Sequence, residues 1–266
     1  MNSLDKQLSD RAFNAVYASY SESPTLRESF REVYGADYPE EVTPLSYVTL
    51  TLLRRIAQAV SLGSGTTLID LGCGRGGPGL WVARETSASL VGIDLSSVGI
   101  EQASRRVKEF NVEGRAQFEV SDLTALRFAN HTFDAAMSVD VLWMVPDKQA
   151  ALREIARILR PQARFAFTNW DRDLSPPGYP PQVSDHRPLL RDAGFLIETY
   201  EEIPGAEAKR RALYMRIIAS RKALIQKMGE EAVEALMTEA RRALGFEDGT
   251  DYLAHSRRIF VAARKG

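Results

Sequence analysis

The sequence predicts an α/β protein with a parallel sheet covered on both faces, and three observations carry that prediction. Strand-like apolar runs alternate with segments of helical period through the middle of the chain. Four successive runs end in an acid: Asp70, Asp94, Asp122 and Asp140. After the first run comes Gly72-Cys73-Gly74-Arg75-Gly76-Gly77-Pro78, a turn in which glycine removes every Cβ that would keep a ligand from the backbone. Sheets of this class bind ligands outside the carboxyl ends of their strands. The four acids therefore meet on one rim.

In chain order, residues 1–42 place Phe13, Val16, Tyr17 and Tyr20 on one helical face, which suits either a docked amphipathic helix or a lid over the site. Thr43-Pro44 predicts a helix start, with Leu45, Val48, Leu52, Ile56 and Val60 inward and Gly63 as the stop. Residues 67–71 read as the first strand, and Pro78 suits the first turn of the next helix. Strands follow at 90–94, 117–123 and 132–140, separated by helical segments at 96–110 and, after the fourth, 148–159. A fifth strand at 164–170 follows the Arg160-Pro161 break. Prolines 176, 177, 180 and 181 make 171–194 an irregular loop. A sixth strand (195–203) precedes two helices in 204–254: one striped by Leu213, Ile217, Leu224 and Met228, the other by Val233, Leu236, Met237, Ala240 and Leu244. The last strand lies near 258–263.

Gly72, Gly74 and Gly77 also fit the spacing of a dinucleotide loop. Asp70 argues otherwise: a carboxylate two residues before the first glycine suits a cationic amino group better than a pyrophosphate. Each acid has a plainer reading as a turn or helix cap. The ordered set, taken with the glycine turn, favours a cofactor site.

With Asp70-x-Gly72-x-Gly74-x-Gly76 and the later strand-end acids in place, the chain resembles a class I S-adenosylmethionine (SAM)-dependent methyltransferase of the type 11 or UbiE-like group, over roughly residues 43–204 and the last strand. The resemblance implies a Rossmann-like, mostly parallel seven-stranded sheet with its last strand antiparallel. It divides the chain into an N-terminal helical lid segment (1–42), a SAM-binding core (43–203), a helical substrate cap roofing the site (204–254) and the last core strand (255–266). It also implies Gly72 and Gly74 at the methionine part of SAM, Asp70 near its amino group and Asp94 on the ribose hydroxyls. Asp122 and the Leu123 N–H would take the adenine, and Ser138 would offer backbone contacts to the methionine end.

The implied reaction is methyl transfer to oxygen, nitrogen or carbon of a small-molecule acceptor, a biosynthetic intermediate. Two alternatives stand beside it: a SAM-binding protein of this fold that transfers no methyl, and an NAD(P)-dependent oxidoreductase, against which Asp70 and Asp122 speak. His186 and His255 can reach the rim as general bases, His186 beside Asp185; each also has a structural reading. His131 falls on the face away from the site. Tyr17, Tyr20 and Trp143 are candidates to wall the acceptor pocket. Lys209, Arg210, Arg211, Arg216, Arg221 and Lys222 read as a solvated face, the other reading being an arginine clamp for an acidic substrate. Asp140, Asn169 and Asp171 imitate an oxygen-donor Mg²⁺ set, but such acids also cap helices, and no metal is expected.

Composition narrows the class further. At 266 residues and 44% hydrophobic, the chain can bury one large core with appendages. A net charge of −1 gives no case for nucleic acid or a membrane surface as partner. A single cysteine, Cys73, rules out an intrachain disulfide. With no leader and no membrane-length apolar run, a cytoplasmic protein is expected.

Overall fold

Seven strands form one sheet in the order β3-β2-β1-β4-β5-β7-β6. They are β1 (Thr67–Leu71), β2 (Ser89–Asp94), β3 (Ala116–Val120), β4 (Phe133–Val139), β5 (Leu159–Arg172), β6 (Phe195–Glu202) and β7 (Ser256–Lys265). β7 is antiparallel to both β5 and β6, and the pairings among β1 to β5 are all parallel. The computed structural model describes residues 14, 17–19 and 23–266. Tyr20, Phe13 and Val16 lie outside the described residues.

The period-two strand pattern decides which face each side chain covers. Leu68, Leu90, Ala135 and Met137 pack on one face with Leu52, Ile56 and Leu80. Their neighbours Ile69, Val91 and Ala136 pack on the other with Leu152, Ile155 and Phe165. The helices are α1 (Pro24–Tyr34), α2 (Leu50–Val60), α3 (Gly77–Thr86), α4 (Ser97–Arg106), α5 (Lys148–Ile158), α6 (Arg187–Asp192), α7 (Ala206–Ala219), α8 (Arg221–Met228) and α9 (Glu230–Ala243). α2 buries Leu52, Leu53, Ile56 and Val60, each such side chain stabilising the fold by about 1.5–3 kcal/mol.

Three local expectations are corrected. Thr43-Pro44 does not start α2; Thr49 does, its hydroxyl accepting the Leu52 N–H at 3.2 Å. Residues before it are drawn across the rim instead, because the Tyr47 N–H donates to Asp140 and the Tyr47 carbonyl accepts from Arg258. β5 begins at Leu159 rather than after Pro161. The strand register shifts between the Phe133 and Ala135 pairings, and Gln162 takes a φ of 67°, as a bulge accommodating proline does. The stripe from Leu213 to Met228 is broken at Ser220 into α7 and α8, and both halves pack against α1. Leu26, Phe30 and Tyr34 of α1 share one apolar cluster with Leu213, Ile217, Val233 and Met237. This helical cluster is therefore assembled from segments nearly 200 residues apart in sequence.

Candidate active site

The glycine turn leaves β1 with its backbone held from three sides. The N–H groups of Gly72 and Cys73 both donate to the Ile93 carbonyl at 2.8 Å. The Gly74 N–H donates to one oxygen of Asp94 at 2.8 Å, and the Ser96 N–H to the other at 2.9 Å. Gly72 has a φ of +75°, and a Cβ there would stand 2.5 Å from the Val141 side chain. At Gly74, with φ +52°, a Cβ would stand 2.8 Å from the Tyr17 hydroxyl. The Tyr17 carbonyl in turn accepts from Gln102 at 2.9 Å. Tyr17 therefore stands beside the turn at Gly74.

Asp70 lies beneath the same turn, 1% exposed, and its Oδ2 has no hydrogen-bond partner among the described residues. Burial, reinforced by the Asp94 charge, pushes its carboxyl up to about 8; the Gly79 N–H offsets part of this. Asp122 accepts the Thr124 N–H and hydroxyl at 2.9 and 2.8 Å, and Leu123 is buried beside it. The Ser138 hydroxyl donates to the Leu71 carbonyl at 2.8 Å, fastening β4 to β1.

At the far end of the rim, the histidine expectations are corrected. His186 is fully buried and both ring nitrogens are engaged. Asn169 Oδ1 accepts the Trp143 N–H at 3.0 Å, so its amide nitrogen faces His186 Nε2 at 2.9 Å and donates to it. His186 Nδ1 then carries the proton and donates to Asp171 at 2.6 Å, while the Tyr200 hydroxyl donates to the same carboxylate. No nitrogen is left to take a proton from a substrate, and Asp171, not Asp185, is the partner. His186→Gln is expected to cost about 1–3 kcal/mol, because it leaves Asp171 short of a buried donor. Thermal unfolding measures that loss, and titration with S-adenosylhomocysteine should show unchanged affinity. His255 is solvent-exposed in the turn before β7, contributing only its carbonyl to the Asp173 N–H. The three oxygen donors that imitate a Mg²⁺ set are turned to protein partners: Asp140 to Arg258, Asn169 to Trp143 and His186, Asp171 to His186 and Tyr200.

Beside α7 lies a packed cluster of aromatic and basic side chains. Trp143, a pocket candidate, is buried with Trp170, Tyr47 and Tyr179. Arg172, the last residue of β5, lies 4.6 Å from the Trp143 ring, and Arg210 lies 4.5 Å from Trp170. Burial and the Arg210 charge pull the Arg172 guanidinium down to about 10. Burial, with Arg172 nearby, likewise lowers Lys148 to about 8.

A family model described as a methyltransferase domain matches residues 69–167, the span from β1 to β5 that holds the turn and the rim acids. Methyltransferase GfsG of Streptomyces halstedii is 30% identical over 131 residues, 49% of this chain and 47% of that protein. The chain thus spans about half the length of that relative. O-methyltransferase rstn1 of Aspergillus nomiae is 29% identical over 203 residues, covering 71% of this chain and 90% of its own. Over residues 69–167 the chain carries a methyltransferase domain, and the named relatives support a class I SAM-dependent methyltransferase. Among solved structures, the [4+2]-cyclase SpnF superposes on this methyltransferase with a TM-score of 0.70 and 26% identity, over 81% of this chain and 80% of that one.

The residues present fit the family's cofactor. SAM carries a cationic amino group, and the buried, unpartnered Oδ2 of Asp70 is the kind of acceptor that such a group satisfies. A Cβ at 72 would meet the Val141 side chain, and the positive φ at 72 and 74 favours glycine at both. The methyltransferase also contains site features that the sequence reading missed. Arg172 went unremarked, Lys148 marked only the start of a helical segment, and Arg210 read as a solvated face with an arginine clamp as the other reading; all three are buried. For Arg172, the one sequence signal was its position two residues past Trp170 at the end of a strand leading to the rim.

Proposed function

We propose that this protein transfers the methyl group of SAM to an oxygen, nitrogen or carbon atom of a small-molecule acceptor held between the rim and the helical roof. The observation that carries the reading is the glycine turn braced by Asp94, with the buried Asp70 carboxylate, its Oδ2 unpartnered among the described residues, below it. In this reading Gly72 and Gly74 lie along the methionine part and Asp70 takes its amino group. Asp94 takes the ribose, Asp122 and the Leu123 N–H the adenine, and the Ser138 backbone the methionine end. Tyr17 forms a wall over the turn.

Bound SAM supplies an electrophilic methyl group on a sulfonium whose sulfur leaves neutral, so no acid is required. The chain's own contribution is positioning and exclusion of water by Trp143, Trp170, Tyr47 and Tyr179. With His186 locked and His255 outside, no histidine base is assigned. Such a mechanism suits an acceptor that arrives already nucleophilic.

Calorimetric titration of the full chain with S-adenosylhomocysteine tests the reading. Saturable binding is expected, weakened about 100-fold by Asp94→Ala through loss of charged hydrogen bonds and of the brace on Gly74, with no binding of NADH. Binding of NADH alone would overturn it. A second reading, a SAM-binding protein that catalyses another reaction, is supported by the similarity to a protein named as a cyclase. Tight S-adenosylhomocysteine binding without methyl transfer to any member of a broad acceptor panel would favour it. No helix among the described residues is long and apolar enough to cross a membrane, and we place the protein in the cytoplasm.

A further inference from the structure

Three buried cations, Lys148, Arg172 and Arg210, stand near one another under the roof. Two are spent on protein partners. Lys148 Nζ donates to the carbonyls of Val145 and Pro181 at 3.0 and 2.6 Å. Arg210 donates through Nε and Nη2 to the Tyr214 hydroxyl at 2.9 and 2.7 Å, and pairs with Glu239 at 3.2 Å. That uses Glu239, a carboxylate whose charge acts on Arg172.

Arg172 is different. It is 5% exposed, yet its Nε and Nη2 are both buried without a hydrogen-bond partner among the described residues. These two N–H groups form one edge of the guanidinium, the fork that takes both oxygens of a carboxylate in parallel. A guanidinium kept in the interior with that edge unmet is costly to the fold unless a ligand meets it. Arg172 lines a cavity of about 10 Å³ together with Arg210, Tyr179, Tyr252, Pro176 and Leu253. That volume admits about one water, so binding of a larger acid requires the side chains around the cavity to move apart.

We propose that Arg172 is the carboxylate-binding residue of the acceptor pocket, and that the acceptor is a small organic acid with an apolar or aromatic body. A carboxylate matches what is unmet: one planar fork and one unbalanced charge, beside the faces of Trp143 and Tyr179. A phosphate dianion would call on more donors than Lys148 and Arg210 leave unspent. The proposal rests on the methyltransferase reading only in naming the bound acid as the acceptor.

The test is calorimetry on the full chain with benzoate as probe, alongside inorganic phosphate, with S-adenosylhomocysteine titrated into the same preparations. Wild type should bind benzoate saturably and more tightly than phosphate. Arg172→Lys, which keeps the charge but loses the fork, should bind at least tenfold more weakly, and Arg172→Met should not bind. Without benzoate, Arg172→Met should melt at or above the wild-type temperature, since it removes an unpaired buried charge; S-adenosylhomocysteine affinity should be unchanged in both variants. Absence of benzoate binding to wild type, its persistence in Arg172→Met, or a lowered melting temperature in that variant would overturn the proposal. Preference for phosphate would overturn the assignment to a carboxylate. If benzoate binds wild type and S-adenosylhomocysteine does not, the cofactor reading fails while the acid site stands.

Discussion

Arg258→Met is expected to destabilise the protein by about 3–5 kcal/mol, the largest loss predicted for a single side chain here. Arg258 and Asp140 are buried together, their side chains 2% and 4% exposed. The guanidinium donates to both carboxylate oxygens, at 3.1 and 2.8 Å, and through its third nitrogen to the Tyr47 carbonyl at 2.6 Å. Removing it strands a buried carboxylate that keeps only the Tyr47 N–H and the Thr168 hydroxyl as donors. It also releases the 44–48 segment, whose Tyr47 ring packs edge-on against Trp170. Urea denaturation should show a lower midpoint at an unchanged slope. Arg258→Met combined with Asp140→Asn should recover much of the loss, because the charge left behind, more than the lost attraction, is what destabilises. Equal losses in the single and double variants would show that the pair acts through Tyr47 alone.

That same pair explains where the sequence reading stopped short. Thr43-Pro44 has the local chemistry of a helix start, yet Asp140 and Arg258, far along the chain, claim both backbone groups of Tyr47 and hold the segment out of the helix. Local preference yielded to a tertiary contact that no window of residues contains. The sheet was legible because strand periodicity and burial on two faces are written locally: Leu68 and Ile69, or Leu90 and Val91, divide between the two cores as alternation requires. The glycine turn was legible for a similar reason, since positive φ at Gly72 and Gly74 leaves a direct residue signature. The burial of the basic residues beside Trp170 was not. Arg210 sits in a run of basic residues that reads as a solvated face, and only the packing of α7 against Trp170 and Tyr47 takes it out of water. His186 misled in the opposite sense. Its sequence neighbour Asp185 suggested an activated base, but the loop carries the ring inward to Asp171 and Asn169, where it serves as a lock.

Asp70 should make stability and cofactor affinity respond to pH in opposite directions. In the unfolded chain its carboxyl ionises at the ordinary value of 3.8; in the fold, burial first and Asp94 second raise it to about 8. Between these values the folded state holds a proton that the unfolded state has lost. Stability from this group is therefore complete below the unfolded value and falls as pH rises towards 8, by up to about 5 kcal/mol if the whole shift is expressed. Asp70→Asn keeps a neutral side chain of the same shape at every pH. It should flatten this fall and be the more stable protein at pH 8, as measured by urea midpoints from pH 5 to pH 8. A ligand with a cationic amino group favours the ionised form. S-adenosylhomocysteine should therefore bind more tightly as pH rises over the same interval and release a proton when it binds near pH 7. Calorimetry in two buffers of different ionisation enthalpy counts that proton. Asp70→Asn should release none and bind more weakly throughout. A variant that bound as tightly as wild type would remove Asp70 from the cofactor site, whatever its effect on stability. A variant that bound weakly without flattening the stability profile would keep Asp70 at the cofactor but already ionised in the ligand-free fold. The buried Oδ2 without a partner among the described residues argues for the neutral form, because the Gly79 N–H alone compensates little of the desolvation of an ionised carboxylate so placed.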